Sequence, residues 1–370
     1  MSSATANLMS TAASLAMLAS ETAVEAEKNR RLDSRFTSLL RTTGIGSMAI
    51  PTQIGGSEPD VISMLEVVSQ IAGSDGSAGW VTMIYVTSSV AAHYLTPEAL
   101  AEVYGPGTGV LVAGVLAPRG TYQRTPGGGV LTGRWPFASG SLDADWISLG
   151  ALDEKGRLRS LILPMSDVEI IDTWDVIGLR ASASHDVTVR DHFVPAHRAF
   201  DLTGPPMTTE APARFPIFGL LAAGIGAVCL GIARSAIDQL AELAGAKTPT
   251  GSKRRLADRG AVQEAVARAE SLVASATLYL HKTAAGPSFP ATLEDRARLR
   301  AAATHAVDCS RQAIDLMYGL GGGSAVYATS PLQRHMRDIH TATQHMMVAQ
   351  PTWELAGRVL LGMDTDANQL

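Results

Sequence analysis

The spacing of apolar residues changes twice along this chain, and that constrains the fold more than any single motif. From residue 6 to 45 apolar side chains recur at helical spacing, with Leu8, Ala12, Leu15, Leu18 and Ala19 on one side. IGSMAIPTQIGGSEPD breaks this pattern with proline and paired glycines, and residues 61–71 and 79–93 read as two further helices. Between residues 107 and 195 the period falls to two. VLVAGVLA, VLTGRW, WISLGAL, SLILPM, VEIIDTW and HDVTVRDHFVP are short β-type runs separated by Gly, Pro and Asp. Helical spacing resumes over 217–243, 261–285, 292–318 and 331–361. Strands in succession without helices between them predict an antiparallel sheet or small barrel, not a parallel nucleotide-binding sheet. The expected architecture is α+β: an N-terminal helical domain (1–106), a middle antiparallel β domain or barrel (107–200) and a C-terminal four-helix bundle (214–370).

With 370 residues, 46% of them hydrophobic, the chain can bury the core of one or two joined domains. A net charge of −5 without long runs gives no basic stripe, so nucleic acid is not an expected partner. Cys229 and Cys309 sit in apolar helical contexts without metal or redox spacing. They read as buried, reduced small hydrophobes, which suits the cytoplasm. The apolar segment 4–19 has no preceding Lys or Arg, and Arg234 cuts short LLAAGIGAVCLGIARSAI, so neither export nor membrane insertion is expected. His185, His192 and His197 share no metal-like spacing, and no metal site is expected.

Residues 319–348, GLGGGSAVYATSPLQRHMRDIHTATQHMMV, carry the densest chemistry. Gly321, Gly322 and Gly323 permit a tight turn, and Ser330-Pro331 supplies a helix start. On one continuous helix His345 would share a face with Asp338 and lie near Thr341, while His340 would point away. His345 is therefore the candidate functional histidine, and Arg337-Asp338 reads as an ion pair orienting the helix.

AIPTQIGGSE, DGSAGW, GRWPFASGSLDADW, IGLRASASHDVTVRDHFVP and GLGGGSAVYATSPLQRHMRDIH, in this α-β-α order, resemble the acyl-CoA dehydrogenase fold across essentially the whole chain. The resemblance implies a flavin between the β domain and the C-terminal bundle, and a homotetramer. Dehydrogenases of this fold use a carboxylate base. A glutamate common among them would fall near Met346, where TATQHMM offers no acid, and a thioether cannot abstract a proton. VAGVLAPRG also replaces their Thr-Glu-Pro-Gly stretch. WPFASG, GLRASAS and RDIHTATQH resemble instead the branch of reduced-flavin monooxygenases, the oxygenase halves of two-component hydroxylases.

That branch implies reduced FAD or FMN delivered by a separate NAD(P)H-flavin reductase, dioxygen as co-substrate and a C4a-hydroperoxyflavin that hydroxylates an aromatic or polycyclic small molecule. Trp80, Trp135, Phe137 and the Met346-Met347 pair then wall off water, with Trp135 on the cofactor side and Trp80, Phe137 and Met346 against substrate. Ser139 matches a hydroxyl near flavin N5. Arg180, Ser182 and Ser184 match a loop that holds the flavin, and Gly322 and Gly323 match a segment near the flavin of a neighbouring subunit. His345 matches the residue that deprotonates or orients the phenol, a task within reach of an imidazole with a pKa of about 6.5. The basic stretch KTPTGSKRR, 247–255, reads as a solvated loop or a flavin-phosphate contact. Two other readings stand beside this one: an acyl-CoA dehydrogenase with bound FAD and a base from elsewhere, and a non-catalytic scaffold of the same fold.

Overall fold

The computed structural model describes residues 3–286, 291–367 and 370. The N-terminal region is helical: α1 (Ser3–Asn29), α2 (Ser34–Thr43), α3 (Val61–Ser74), α4 (Gly76–Ser89) and α5 (Pro97–Tyr104). The single helical start expected over 6–45 is two helices. Arg30 takes a positive φ of 53°, and Asp33 then caps α2 by accepting the Arg35 N–H at 2.8 Å. Asp60 caps α3 and Asp75 caps α4 in the same way, each contact at 2.8 Å and each cap worth about 1 kcal/mol.

Seven strands follow: β1 (Val112–Thr125), β2 (Gly128–Ala138), β3 (Trp146–Asp153), β4 (Leu158–Pro164), β5 (Glu169–Ile171), β6 (His185–Pro195) and β7 (Ala199–Phe200). They form one sheet in the order β5-β6-β2-β1-β3-β4-β7, which does not close into a barrel. The sheet is mixed rather than antiparallel throughout, because β1 and β3 run parallel. Asp145 is the cause. Its carboxylate accepts the Leu111 N–H and its own N–H donates to the Leu111 carbonyl, both at 2.8 Å. The start of β3 is thereby pinned beside the start of β1. Between Val115 and Gly120 the β1–β3 register slips, and this irregular stretch lifts off the sheet.

The C-terminal region holds α6 (Ile217–Ala246), α7 (Gly260–Ala284), α8 (Leu293–Gly321), α9 (Pro331–Ala342) and α10 (Pro351–Leu360). By length and composition α6 is apolar enough to cross a membrane, yet 83% of its most apolar stretch is buried inside the protein. It packs against α3, α4, α7 and α8. At the α3 crossing, a Cβ on Gly231 would stand 2.2 Å from the Ser69 carbonyl oxygen, so only glycine admits this approach. The last predicted helix, 331–361, is broken: α9 stops at Ala342 and α10 begins at Pro351, whose missing N–H and fixed φ suit a first helical turn. The expected fourth bundle helix is thus two short ones, and His345 lies in the turn between them. Cys229 and Cys309 are buried free thiols.

Candidate functional site

A cavity of about 1460 Å³ lies between the sheet, α4, the loop before β6 and the turn after α9. Trp80 and Ile84 of α4, the lifted stretch of β1 from Gly114 to Arg119, Phe215, Phe218 and Leu221 form much of its apolar wall. Ser139, Ser182 and Ser184 stand among its polar lining groups, and His340 and His345 also line it. Among the described residues Asp201 is the one acidic side chain in the lining.

Ser139 reaches the cavity through a local irregularity in β2. Residues two apart on a regular strand share a face, yet the β2–β6 register slips between Trp135 and Ala138 and Phe137 takes a φ of 66°. Trp135 consequently stays fully buried, its indole N–H donating to the Gly150 carbonyl at 2.7 Å. Phe137 turns out to the cavity rim, 66% exposed, and meets Trp174 edge-on with ring centroids 6.2 Å apart. The Trp80 indole N–H donates to Ser139 Oγ at 3.1 Å, Ser139 Oγ lies 2.6 Å from Ser184 Oγ, and Ser184 Oγ lies 2.8 Å from Ser182 Oγ. All four side chains are buried.

The loop carrying Ser182 and Ser184 is held by α9. Arg337 donates to the Ile177 carbonyl at 2.6 Å, and Asp338 accepts the Leu179 N–H at 2.6 Å. A Cβ on Gly178 would stand 2.2 Å from the Arg337 carbonyl oxygen, so loop and helix touch backbone to backbone. Arg337 and Asp338 are therefore not an ion pair with each other. Arg337 pairs with Glu27 at 2.5 Å, and Asp338 faces inward. Burial, and then the charge of nearby Asp75, push the Asp338 carboxyl up to about 7. Leu179 and Ala183 both adopt positive φ, 51° and 46°, a conformation that costs non-glycine residues energy and is retained here by the clamp.

His345 packs against Trp80, the ring centroids 5.7 Å apart and the planes at 60°. Its Nδ1 accepts the Met347 N–H at 3.2 Å, which places the proton of the neutral ring on Nε2. Burial, with Arg300 adding repulsion, holds its pKa down to about 4. The ordinary imidazole value expected from the sequence does not apply here, and near neutral pH this ring is an uncharged Nε2–H donor. His340, expected to point away, lines the same cavity and pairs with Asp315 at 2.9 Å. The helix-wheel geometry that separated the two histidines ends at Ala342.

Residues 223–350 match the family model described as acyl-CoA dehydrogenase, C-terminal domain. The chain is 30% identical to an indole-3-acetate monooxygenase of Pseudomonas putida over 91% of its own length and 89% of that protein. It is also 30% identical to the oxygenase subunit HsaA of a flavin-dependent monooxygenase of Rhodococcus jostii, covering 88% and 90% of the two chains. Its structure superposes on that of XiaF from a Streptomyces species, solved with FADH2 and glycerol, with a TM-score of 0.88, 28% identity and coverage of 97% and 96%. The chain belongs to the flavin-dependent monooxygenases of acyl-CoA dehydrogenase fold.

Of the residues singled out in the sequence of this monooxygenase family member, Trp80, Phe137, Ser139, Ser182, Ser184, His345 and Met346 come together in one cavity. Trp135, Arg180, Gly322 and Gly323 do not line it. Trp135 is core for the reason given above. Arg180 turns away to donate to the Val176 carbonyl at 2.5 Å and to pair with Asp175 at 3.2 Å. Gly322 and Gly323 are exposed beyond the end of α8, outside this chain's own cavity. The basic stretch 247–255 is also outside: Lys247 donates to the Gly321 carbonyl at 2.8 Å, and Arg255 pairs with Asp258 at 3.3 Å. Sequence reasoning missed Asp75, Asp338 as a loop clamp, Trp174 and His340. Asp75 carried a signal, since an Asp ahead of GSAGW is a helix cap, but nothing local announces the other three.

Proposed function

We propose that this chain is the oxygenase component of a two-component system that hydroxylates an aromatic small molecule. The observation that carries the reading is the pairing, in one large apolar cavity, of a buried hydroxyl row with a neutral histidine. Met346 is 56% exposed at that cavity, at the position where a dehydrogenase would place its glutamate. The cavity exceeds the usual 300–1,000 Å³ of a small-ligand pocket, as a flavin ring together with a substrate requires. Ser139, Ser182 and Ser184 would hold the polar edge of the ring, and Phe137 and Trp174 its apolar surface. Reduced flavin, delivered by a separate NAD(P)H-flavin reductase, supplies the electrons by which one oxygen atom of dioxygen enters the substrate and the other leaves as water.

The chain's own residues do the rest. Trp80, Ile84, Leu116 and Phe218 exclude water from the reacting side. His345, its Nδ1 occupied by the Met347 N–H, is left to donate from Nε2 to a substrate oxygen. It orients the substrate and stabilises a phenolate, rather than acting as the base that the ordinary histidine pKa would permit.

A homotetramer is part of the proposal. Leu278, Leu316, Val326, Tyr327 and Leu361 are exposed in the C-terminal region, apolar side chains that further copies of the chain would cover. Gly322 and Gly323 would then approach the flavin of a neighbouring copy. The buried free thiols accord with a reducing compartment, and the cytoplasm is the proposed location.

The test supplies chemically reduced flavin, isotope-labelled dioxygen and a panel of phenols to the purified chain. One labelled atom in a hydroxylated product supports the reading. Flavin reduction by an acyl-CoA would replace it with the dehydrogenase reading, and a chain that does neither would be a scaffold.

A further inference from the structure

The polar wall of the cavity is a row of groups whose protons can be counted. The Trp80 indole N–H can only donate, so one lone pair of Ser139 Oγ is always taken. Each serine has a single proton, and Ser184 stands between the other two, 2.6 Å from Ser139 and 2.8 Å from Ser182. Head-to-tail order lets each bond polarise the next, and it can run either way. If Ser182 donates to Ser184 and Ser184 to Ser139, the proton of Ser139 is offered to the cavity while Ser182 keeps free lone pairs. If the row runs the other way, Ser139 offers one lone pair. Ser139 and Ser182 both line the cavity, but Ser139 keeps a little exposed surface and Ser182 none, so the row meets a ligand at its Ser139 end and is closed at Ser182.

We propose that Ser182, Ser184 and Ser139 form a reversible hydroxyl relay, oriented by Trp80, that inverts as one unit to match the redox state of the ligand. The proposal rests on the reading that the cavity takes a flavin. A flavin ring nitrogen bears a proton when reduced and a lone pair when oxidised. One relay direction suits each form, and the change costs three hydroxyl rotations with no movement of backbone. Trp80 is a positioning residue in this scheme. By filling one acceptor site of Ser139 it leaves that hydroxyl a single role toward the cavity at any moment, donor or acceptor.

The hydroxyls of Ser139 and Ser182 are joined through Ser184, which makes the relay testable by binding alone. Anaerobic titrations of reduced flavin, and parallel titrations of oxidised flavin, are made on the full chain carrying Ser139→Ala, Ser182→Ala or both. The set is repeated with Ser184→Ala, or with Ser184→Cys should the alanine variant fail to fold. With Ser184 present, the effect of the double substitution on Kd should depart from the product of the two single effects by about threefold or more. Without it the departure should vanish. Trp80→Phe keeps an aromatic ring beside His345 and removes the N–H. It should shift the ratio of reduced to oxidised affinity, and should shift it no further in a Ser139→Ala background. Multiplicative effects with Ser184 in place, or a Trp80→Phe shift that survives loss of Ser139, would overturn the relay while leaving flavin binding intact. A wild-type chain that binds neither form of flavin would overturn the underlying functional reading as well.

Discussion

Replacing Asp338 by Asn tests how the serine loop is held, because it removes a charge and keeps a shape. The carboxyl is buried, accepts the Leu179 N–H at 2.6 Å, and has its pKa pushed to about 7 by burial first and by Asp75 second. The Leu179 bond, Arg334 and Arg337 pull in the opposite direction without overcoming that rise. In the unfolded chain the group titrates near 3.9, and a gap of about three units at roughly 1.4 kcal/mol each sets a ceiling of about 4 kcal/mol. The sign follows from proton counting. Between about pH 4 and 7 the folded state holds the extra proton, so this group's contribution is present below about pH 4 and is lost as pH rises through 7. The introduced asparagine would still accept the Leu179 N–H through its amide oxygen, and its NH2 would stand where the carboxyl proton was. The Asp338→Asn variant should therefore match the parent near pH 4 and exceed its stability by a margin that opens above pH 4, about 1.5 kcal/mol at pH 5, and reaches roughly 2–4 kcal/mol near pH 8. Urea midpoints at pH 5, 6, 7 and 8, at one protein concentration and with m-values compared, give the two curves. Parallel curves, or a variant less stable than the parent at pH 8, would refute a buried protonated Asp338.

Three other outcomes follow from the same geometry. Ser139→Ala should raise the share of reduced flavin consumed with release of hydrogen peroxide instead of product, and an unchanged peroxide yield would remove Ser139 from the reaction. His345→Ala should abolish hydroxylation while reduced flavin still binds; in the parent, substrate affinity should show no inflection attributable to this ring near pH 6.5, because its pKa is held down to about 4. An inflection there that vanishes in the variant would show a histidine that charges near neutrality. Gly178→Ala would put a Cβ 2.2 Å from the Arg337 carbonyl oxygen, so thermal melting should report a loss of about 1–3 kcal/mol together with weaker flavin binding, and an unaltered melting temperature would mean that the loop gives way freely.

Much of the fold could be read from the sequence because hydrophobic period is a local signal. The succession of helical, strand and helical regions holds, and the matched motifs contain Trp80, the three serines and His345, which meet in the cavity. What could not be read is decided by partners far along the chain. Trp135 and Phe137, two apart in β2, were expected to wall the same chamber, and a register slip against β6 sends one inward and the other out. The parallel β1–β3 pair depends on Asp145 reaching back to Leu111, which no turn signal encodes. The break after Ala342 did leave a trace: Pro351 is better placed to start a helix than to continue one. With that break recognised, His345 would have been assigned to a turn, where the Met347 N–H can reach its Nδ1.

The Arg337-Asp338 pair shows why adjacent charges on a helix mislead. Neighbouring residues on a helix point about 100° apart, so an adjacent Arg and Asp seldom satisfy each other and each seeks a partner elsewhere. Here both find the same loop, 177–179, from two directions, and Glu27 of α1 completes the tie. That arrangement joins the N-terminal helices, the sheet and the last helices at the point where Ser182 and Ser184 enter the cavity. A loop with non-glycine residues at positive φ on both sides of Ser182 would relax if left alone. Held by α9, it keeps two hydroxyls within hydrogen-bond reach of one another and one of them in reach of Ser139, so loss of the clamp should disorder the polar wall of the cavity before it disturbs the core.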